Sequence, residues 1–116
     1  MEMDISSLGD SLVKITLTGR LDTQGVDQIE TRFVDSVVPG GKSAVVDLSA
    51  VEFVASMGIR LFVSTAQNLR KRRASLALYG APRLVAQVFE AVSLHKILPV
   101  CATEAEALER VTVSPS

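Results

Sequence analysis

The chain has 116 residues, a length that suits one domain with a buried hydrophobic core and no need of disulfides or metals. Its net charge of −1 and its aromatic content of 4% argue against nucleic-acid binding, because that function favours basic surfaces and rings that stack on bases. The single cysteine, Cys101, and the single histidine, His95, exclude an intrachain disulfide and a Cys/His metal site.

Two strands are expected at the N-terminus. Residues 12–18 alternate, with Val13, Ile15 and Leu17 on one side and polar residues on the other, which is typical of a half-buried strand. The Gly9-Asp10 pair before it favours a hairpin turn back to a first strand at residues 3–7.

A helix and a buried strand should follow. The helix has one apolar stripe, formed by Val26, Ile29, Phe33 and Val37. Asp22 or Thr23 is expected to cap its start, and residues 39–41 (Pro-Gly-Gly) to end it. Residues 43–48 contain a continuous apolar run, which predicts a central parallel strand covered on both faces.

A second helix is expected over residues 56–72, with a core stripe of Ile59, Phe62, Val63, Ala66 and Leu69. The one basic run, residues 70–73, falls at its C-terminus, where the helix dipole favours cations. After a strand at residues 75–79, Pro82 should lie in the first turn of a third helix. Its expected stripe is Leu84, Val85, Val88, Phe89 and Val92.

The chain should end with a weak strand at residues 98–101 and a short helix through Arg110, opened by a capping box of Thr103 and Glu106. The order β-β-α-β-α-β-α-β-α predicts an α/β fold with a mixed, mostly parallel sheet and about four helices. Residues 1–111 should form a single domain, and residues 112–116 a short disordered tail.

The sequence indicates a non-enzymatic protein. It has no phosphate-binding glycine motif, no nucleophile elbow, no cofactor motif and no metal site. It also lacks an apolar run of about 18 residues and a signal-peptide core, so we expect a cytoplasmic protein without membrane insertion.

The most informative stretch is residues 46–60, where a buried strand leads into the second helix. Ser56 stands at the helix start, and the simplest interpretation is that its hydroxyl caps free backbone N–H groups. Met57, Leu61 and Ser64 lie off the expected core stripe and should form a second face beside Ser56. Such a face is either a partner-binding patch or a surface packed under a loop.

Three blocks of the chain resemble the STAS domain, the fold of bacterial anti-sigma factor antagonists. They are residues 17–22 (Leu-Thr-Gly-Arg-Leu-Asp), residues 46–60 and residues 79–82 (Tyr-Gly-Ala-Pro). The central block is similar to the family pattern Asp-Leu-Ser-x-Val-x-Phe-(Leu/Met)-Asp-Ser-Ser-Gly-Leu. The matching residues are Asp47, Leu48, Ser49, Val51, Phe53, Ser56 and Gly58. Ala55 replaces the acidic residue of the pattern, and Met57 replaces its second serine.

The resemblance implies an anti-sigma factor antagonist that acts by partner switching. The unphosphorylated domain would bind an anti-sigma factor that is also a serine-protein kinase, phosphorylation of Ser56 would abolish binding, and a serine phosphatase would restore it. The expected docking face consists of Asp22, Thr23, Met57, Gly58, Arg60, Leu61 and Ser64.

A second hypothesis stays open. The domain would be a STAS-like adaptor subunit of a larger assembly, such as a lipid-transport ATPase or a stress-sensing complex, and Ala55 and Met57 are the residues that favour this alternative. Ser56 would then be only a helix cap.

Overall fold

A computed structural model describes residues 1–112 and shows strands and helices in the predicted order. They are β1 (Glu2–Gly9), β2 (Leu12–Leu21), α1 (Thr23–Asp35), β3 (Ser43–Val54), α2 (Ser56–Lys71), β4 (Leu76–Tyr79), α3 (Arg83–Ala91), a 3₁₀ helix (Leu94–Lys96), β5 (Val100–Cys101) and α4 (Glu104–Thr112). The 3₁₀ helix was not predicted and contains His95.

The five strands form one sheet in the order β1-β2-β3-β4-β5. β1 is antiparallel to β2, and the other neighbours are parallel, which confirms the predicted mixed and mostly parallel sheet. From β2 onwards each new strand is added at the same edge of the sheet. Right-handed crossovers therefore place α1, α2 and α3 on one face.

The main core lies between these three helices and the sheet. Each helix contributes one fully buried phenylalanine, and the three rings contact one another in sequence order. The centroids of Phe33 and Phe62 are 5.9 Å apart, and those of Phe62 and Phe89 are 6.4 Å apart. A smaller cluster on the opposite face packs Ala107 and Val111 of α4 against the sheet.

β3 is longer than predicted, because it continues beyond Leu48 to Val54 along β2. Two irregularities in the β2–β3 pairing each give β3 an additional residue. Its buried side chains after Val46 are consequently Leu48, Val51 and Val54, so the spacing changes from two to three. Because these buried residues do not alternate with exposed ones, the sequence pattern does not identify this part of β3 as a strand.

α3 buries less than predicted. Only Val85 and Phe89 of its expected stripe are buried, whereas Leu84, Val88 and Val92 are exposed, Leu84 by 71%. The helix covers a narrow part of the sheet, since β4 has four residues and β5 has two. Pro82 is the N-cap residue of α3, one position before the predicted first turn.

α4 ends two residues later than predicted. Thr112 was expected in the disordered tail but is helical, and its Oγ1 donates to the Leu108 carbonyl at 2.8 Å. The remainder of the predicted tail, residues 113–116, lies outside the described residues.

Candidate partner-binding site

The candidate site lies at the sheet edge where β2 and β3 end and α1 and α2 begin. Leu21 and Val54 are register partners at the ends of the two parallel strands. One residue later, the Ala55 N–H donates to the Leu21 carbonyl at 2.9 Å. This bond holds the first turn of α2 beside the first turn of α1.

Ser56 is the first residue of α2, and it is exposed. The N-cap residue is Ala55, which has extended backbone angles, and no side chain of residues 1–112 caps the helix. The prediction that the Ser56 hydroxyl caps α2 is therefore wrong. A cap must precede the first turn to reach its N–H groups, and Ser56 is already in that turn.

α2 presents a polar and partly apolar face to solvent. Its exposed members are the predicted phosphorylation site, Ser56, and three of the predicted docking residues, Met57, Arg60 and Ser64. They recur at the spacing of one helix face. The Met57 side chain is 38% exposed and adds an apolar surface to this otherwise polar face.

Leu61 does not belong to this face. It was predicted to lie off the core stripe, but it is only 2% exposed and packs in the main core. The helix is rotated from the predicted orientation, so that Ile59 and Val63 are half-buried flanks. The buried residues of α2 are Gly58, Leu61, Phe62, Thr65, Ala66 and Leu69.

Gly58 explains the rotation, and it too was wrongly placed on the docking face. It is buried, and a Cβ atom at this position would lie 2.7 Å from Leu21 Cδ2 and 3.2 Å from Val54 Cγ1. Because no side chain intervenes, the first turn of α2 packs directly on the ends of β2 and β3. Gly58 thus lets the buried side of this turn pack on the sheet, and this packing positions the exposed residues of the site.

Asp22 and Thr23 form the neighbouring rim, at the start of α1. Asp22 is the N-cap residue, and its Oδ1 accepts a hydrogen bond from the Gly25 N–H at 2.8 Å. Its Oδ2 lies 3.8 Å from Nε of Arg20. Thr23 is exposed as the first residue of the helix.

Sequence reasoning missed two further residues at this edge, Arg20 and Phe53. They are register partners on β2 and β3, and the Arg20 guanidinium carbon lies 4.5 Å from the centroid of the Phe53 ring. Phe53 is 40% exposed three residues before Ser56. The sequence signal that could have found Phe53 is the spacing of three between Val51 and Val54. Both valines are buried, and this spacing leaves Phe53 outside the core.

A second polar cluster lies on the face of the sheet that α4 covers. Lys14 Nζ lies 3.2 Å from Glu104 Oε1, and this hydrogen bond raises the pKa of the lysine. Burial raises the pKa of Tyr79, and the negative charge of Asp47 adds to the effect. The Tyr79 hydroxyl is buried and has no hydrogen-bond partner within residues 1–112.

Residues 1–112 contain no group of three or more His, Cys, Asp or Glu side chains placed to hold a metal ion. In the same residues, no helix has the length and apolar character needed to cross a membrane.

Comparison with known proteins identifies relatives over nearly the whole chain. The model of the STAS domain family matches residues 7–107. BtrV of Bordetella bronchiseptica, provisionally named an anti-sigma factor antagonist, is 28% identical over 107 residues, which cover 91% of this chain and 92% of BtrV. The anti-sigma-B factor antagonist of Listeria monocytogenes is 24% identical over 106 residues, covering 91% of this chain and 93% of the relative.

Solved structures of SpoIIAA have the same fold. Unphosphorylated SpoIIAA, an anti-sigma factor antagonist, has a TM-score of 0.79 and 24% identity, covering 94% of this chain and 95% of SpoIIAA. The phosphorylated form of this Bacillus cell fate determinant has a TM-score of 0.70 and 22% identity, covering 94% and 98% of the two chains.

Proposed function

The chain belongs to the STAS domain family, and we propose that it is an anti-sigma factor antagonist that acts by partner switching. Unphosphorylated, it binds an anti-sigma factor that is also a serine kinase. The kinase transfers the γ-phosphoryl group of ATP to Ser56 Oγ, leaving ADP, and the complex dissociates. A serine phosphatase hydrolyses the phosphoester with water, releasing inorganic phosphate and restoring the hydroxyl.

One observation carries the proposal: the Ser56 side chain is exposed and does not cap α2. A serine that caps its helix would have to give up that hydrogen bond when modified. Ser56 has no such role, so a phosphate can be added and removed with little effect on the fold. The names of BtrV and of the Listeria relative support the antagonist role. The existence of a phosphorylated form of SpoIIAA supports regulation by phosphate.

The docking face combines apolar anchors with the switch residue. We define it as Ser56, Met57, Arg60 and Ser64 of α2, Asp22 and Thr23 of the rim, and the pair Arg20 and Phe53. Met57 and Phe53 are the large apolar side chains on this face, and methionine and aromatic residues are enriched at protein–protein interfaces. Met57 directly follows Ser56 in the sequence, and Phe53 precedes it by three residues.

A phosphate on Ser56 should block docking without unfolding the domain. It carries about −1.5 to −2 charges at pH 7, and the N-terminus of α2 favours negative charge. α2 has no acidic residue in its first turn that would repel the group. Docking, by contrast, would have to remove this charge from water, which is costly unless the partner supplies a matching cation.

The test compares Ser56→Ala, Ser56→Asp and a matched control, Ser11→Asp. Ser11 is exposed and precedes β2, so its aspartate adds the same charge at the opposite end of the strand, roughly 30 Å from the site. Each protein is titrated calorimetrically with the anti-sigma factor kinases of the source organism, and incubation with MgATP is followed by intact mass.

We expect the Ala and Ser11→Asp variants to bind one of these kinases as the unmodified protein does, and Ser56→Asp to bind at least tenfold more weakly. Only proteins that retain Ser56 should gain one phosphate. Equal affinities for the Ala and Asp variants would refute the switch and favour the adaptor role in a larger assembly.

A further inference from the structure

Arg60 is placed to interact with any group attached to Ser56. It follows Ser56 by four residues on α2, and both side chains are exposed. Side chains four apart lie on the same helix face, with Cβ atoms about 5–6 Å apart. Because helical side chains lean toward the N-terminus, Arg60 extends in the direction of Ser56.

Arg60 also has no ion-pair partner among residues 1–112. Within residues 1–112 the only ion pairs are Lys14 with Glu104 and Arg20 with Asp22. The other arginine near the site, Arg20, already stacks on the Phe53 ring. Arg60 is therefore the cation at this site that can reorient without breaking an existing contact.

We propose that phosphorylation of Ser56 recruits Arg60 from the docking face to the phosphate. This inference rests on the proposed function. In the unmodified protein, Arg60 is free to pair with an acidic group of the partner. In the phosphorylated protein, the same guanidinium binds the phosphate within α2. Phosphorylation then removes a favourable contact in addition to adding a repulsive charge.

The order of the pair favours this exchange. An anion that precedes a cation by four residues is the more stable arrangement on a helix, since it matches the helix dipole. A phosphate dianion offers three acceptor oxygens, and a guanidinium can bind two of them side by side. No carboxylate in the first turn of α2 competes for Arg60.

The direct test measures the second pKa of the phosphate by ³¹P NMR in protein carrying phosphoserine at position 56, incorporated during translation so that no kinase is needed. Arg60→Met is compared with Lys71→Met, which removes the same charge from an exposed position of α2 about 22 Å away along the axis. A neighbouring cation lowers this pKa, which is ordinarily near 6. Arg60→Met should raise it by about 0.2–0.4 unit, and Lys71→Met should leave it unchanged. Equal pKa values in both variants would overturn the pairing.

A binding cycle tests the exchange itself. Phosphorylation should weaken docking to the anti-sigma factor kinase by a smaller factor in Arg60→Met than in the wild type, because the variant has already lost the contact. An equal loss in both backgrounds would refute recruitment of Arg60 as part of the switch. Failure of the proposed function would look different: the pKa shift would be present, but phosphorylated and unmodified proteins would bind equally.

Discussion

Replacing Gly58 with alanine separates two roles for this residue. A docking residue on an exposed helix face would tolerate a methyl group, and the fold would gain stability because alanine favours helix more than glycine does by about 1 kcal/mol. A residue that lets α2 pack on the strand ends would not tolerate it. The structure supports the second role, so we expect Gly58→Ala to destabilise the domain.

The magnitude follows from the space around the glycine. The new Cβ would lie 2.7 Å from Cδ2 and 2.8 Å from Cγ of Leu21, and 3.2 Å from Cγ1 of Val54. Leu21 is completely buried, so its side chain cannot move away without disturbing the core. Overpacking of this kind costs roughly 2–3 kcal/mol, and the gain in helix propensity offsets about 1. The net loss should be about 1–2 kcal/mol, or a melting temperature lower by about 4–10 °C.

The assay is equilibrium unfolding in urea, with thermal melting as a second probe. Gly40→Ala is the matched control, because its Cβ would meet only the flexible Lys42 side chain, at 3.4 Å, and its stability should stay within about 0.5 kcal/mol of the wild type. Leu21→Ala supplies the rescue. Once that side chain is shortened, adding Gly58→Ala should cost less than it does in the wild type.

A Gly58→Ala protein as stable as the wild type, or more stable, would refute the packing argument. So would additive effects of Gly58→Ala and Leu21→Ala, since two residues in direct contact must couple. In either case the first turn of α2 would not rest on Leu21, and the exposed positions of Ser56 and Met57 would need another cause.

Four other substitutions test burial and polarity. Leu61→Glu should abolish cooperative unfolding because it places a charge in the core, whereas Met57→Glu should melt like the wild type and weaken partner binding. Thr65→Val should raise the unfolding free energy by up to about 1 kcal/mol in urea titrations, since the Thr65 hydroxyl is buried without a hydrogen-bond partner among residues 1–112; a loss above about 1 kcal/mol would show that the hydroxyl is hydrogen-bonded. Tyr79→Phe should give a shallower loss of stability above pH 10. The raised pKa of the folded-state phenol favours folding at lower pH, and that contribution disappears as the phenol ionises.

Local signals in the sequence predicted the elements whose patterns are regular. The alternation in β2 identified the strand, although not its last three residues. Of the two predicted caps of α1, Asp22 or Thr23, Asp22 is confirmed, because its Oδ1 accepts a hydrogen bond from the Gly25 N–H. At α4, the Glu106 N–H donates to Thr103 Oγ1 at 3.2 Å, as the capping box requires, while the Glu106 carboxylate accepts from the Ala102 N–H instead of the Thr103 N–H.

The orientation of α2 could not be predicted, because apolar residues occur on both flanks of the helix. Ile59 and Val63 define one possible core stripe, and Leu61 lies on another that includes Phe62 equally well. The choice depends on tertiary contacts. Gly58 lets one side of the first turn approach the sheet, and this approach buries Leu61. A glycine in sequence signals flexibility or close approach, and only the folded chain distinguishes them.

In the proposed mechanism, anchoring and switching fall to residues two positions apart at the start of α2. Gly58 faces the sheet and fixes the first turn against Leu21 and Val54. Ser56 faces solvent, where it neither caps the helix nor packs in the core. Because the anchor does not involve the hydroxyl, a charge on Ser56 leaves the contacts that hold the helix intact. The same anchor keeps Met57 exposed, so the proposed docking face is preformed, and a phosphate on Ser56 would change its charge without changing its shape.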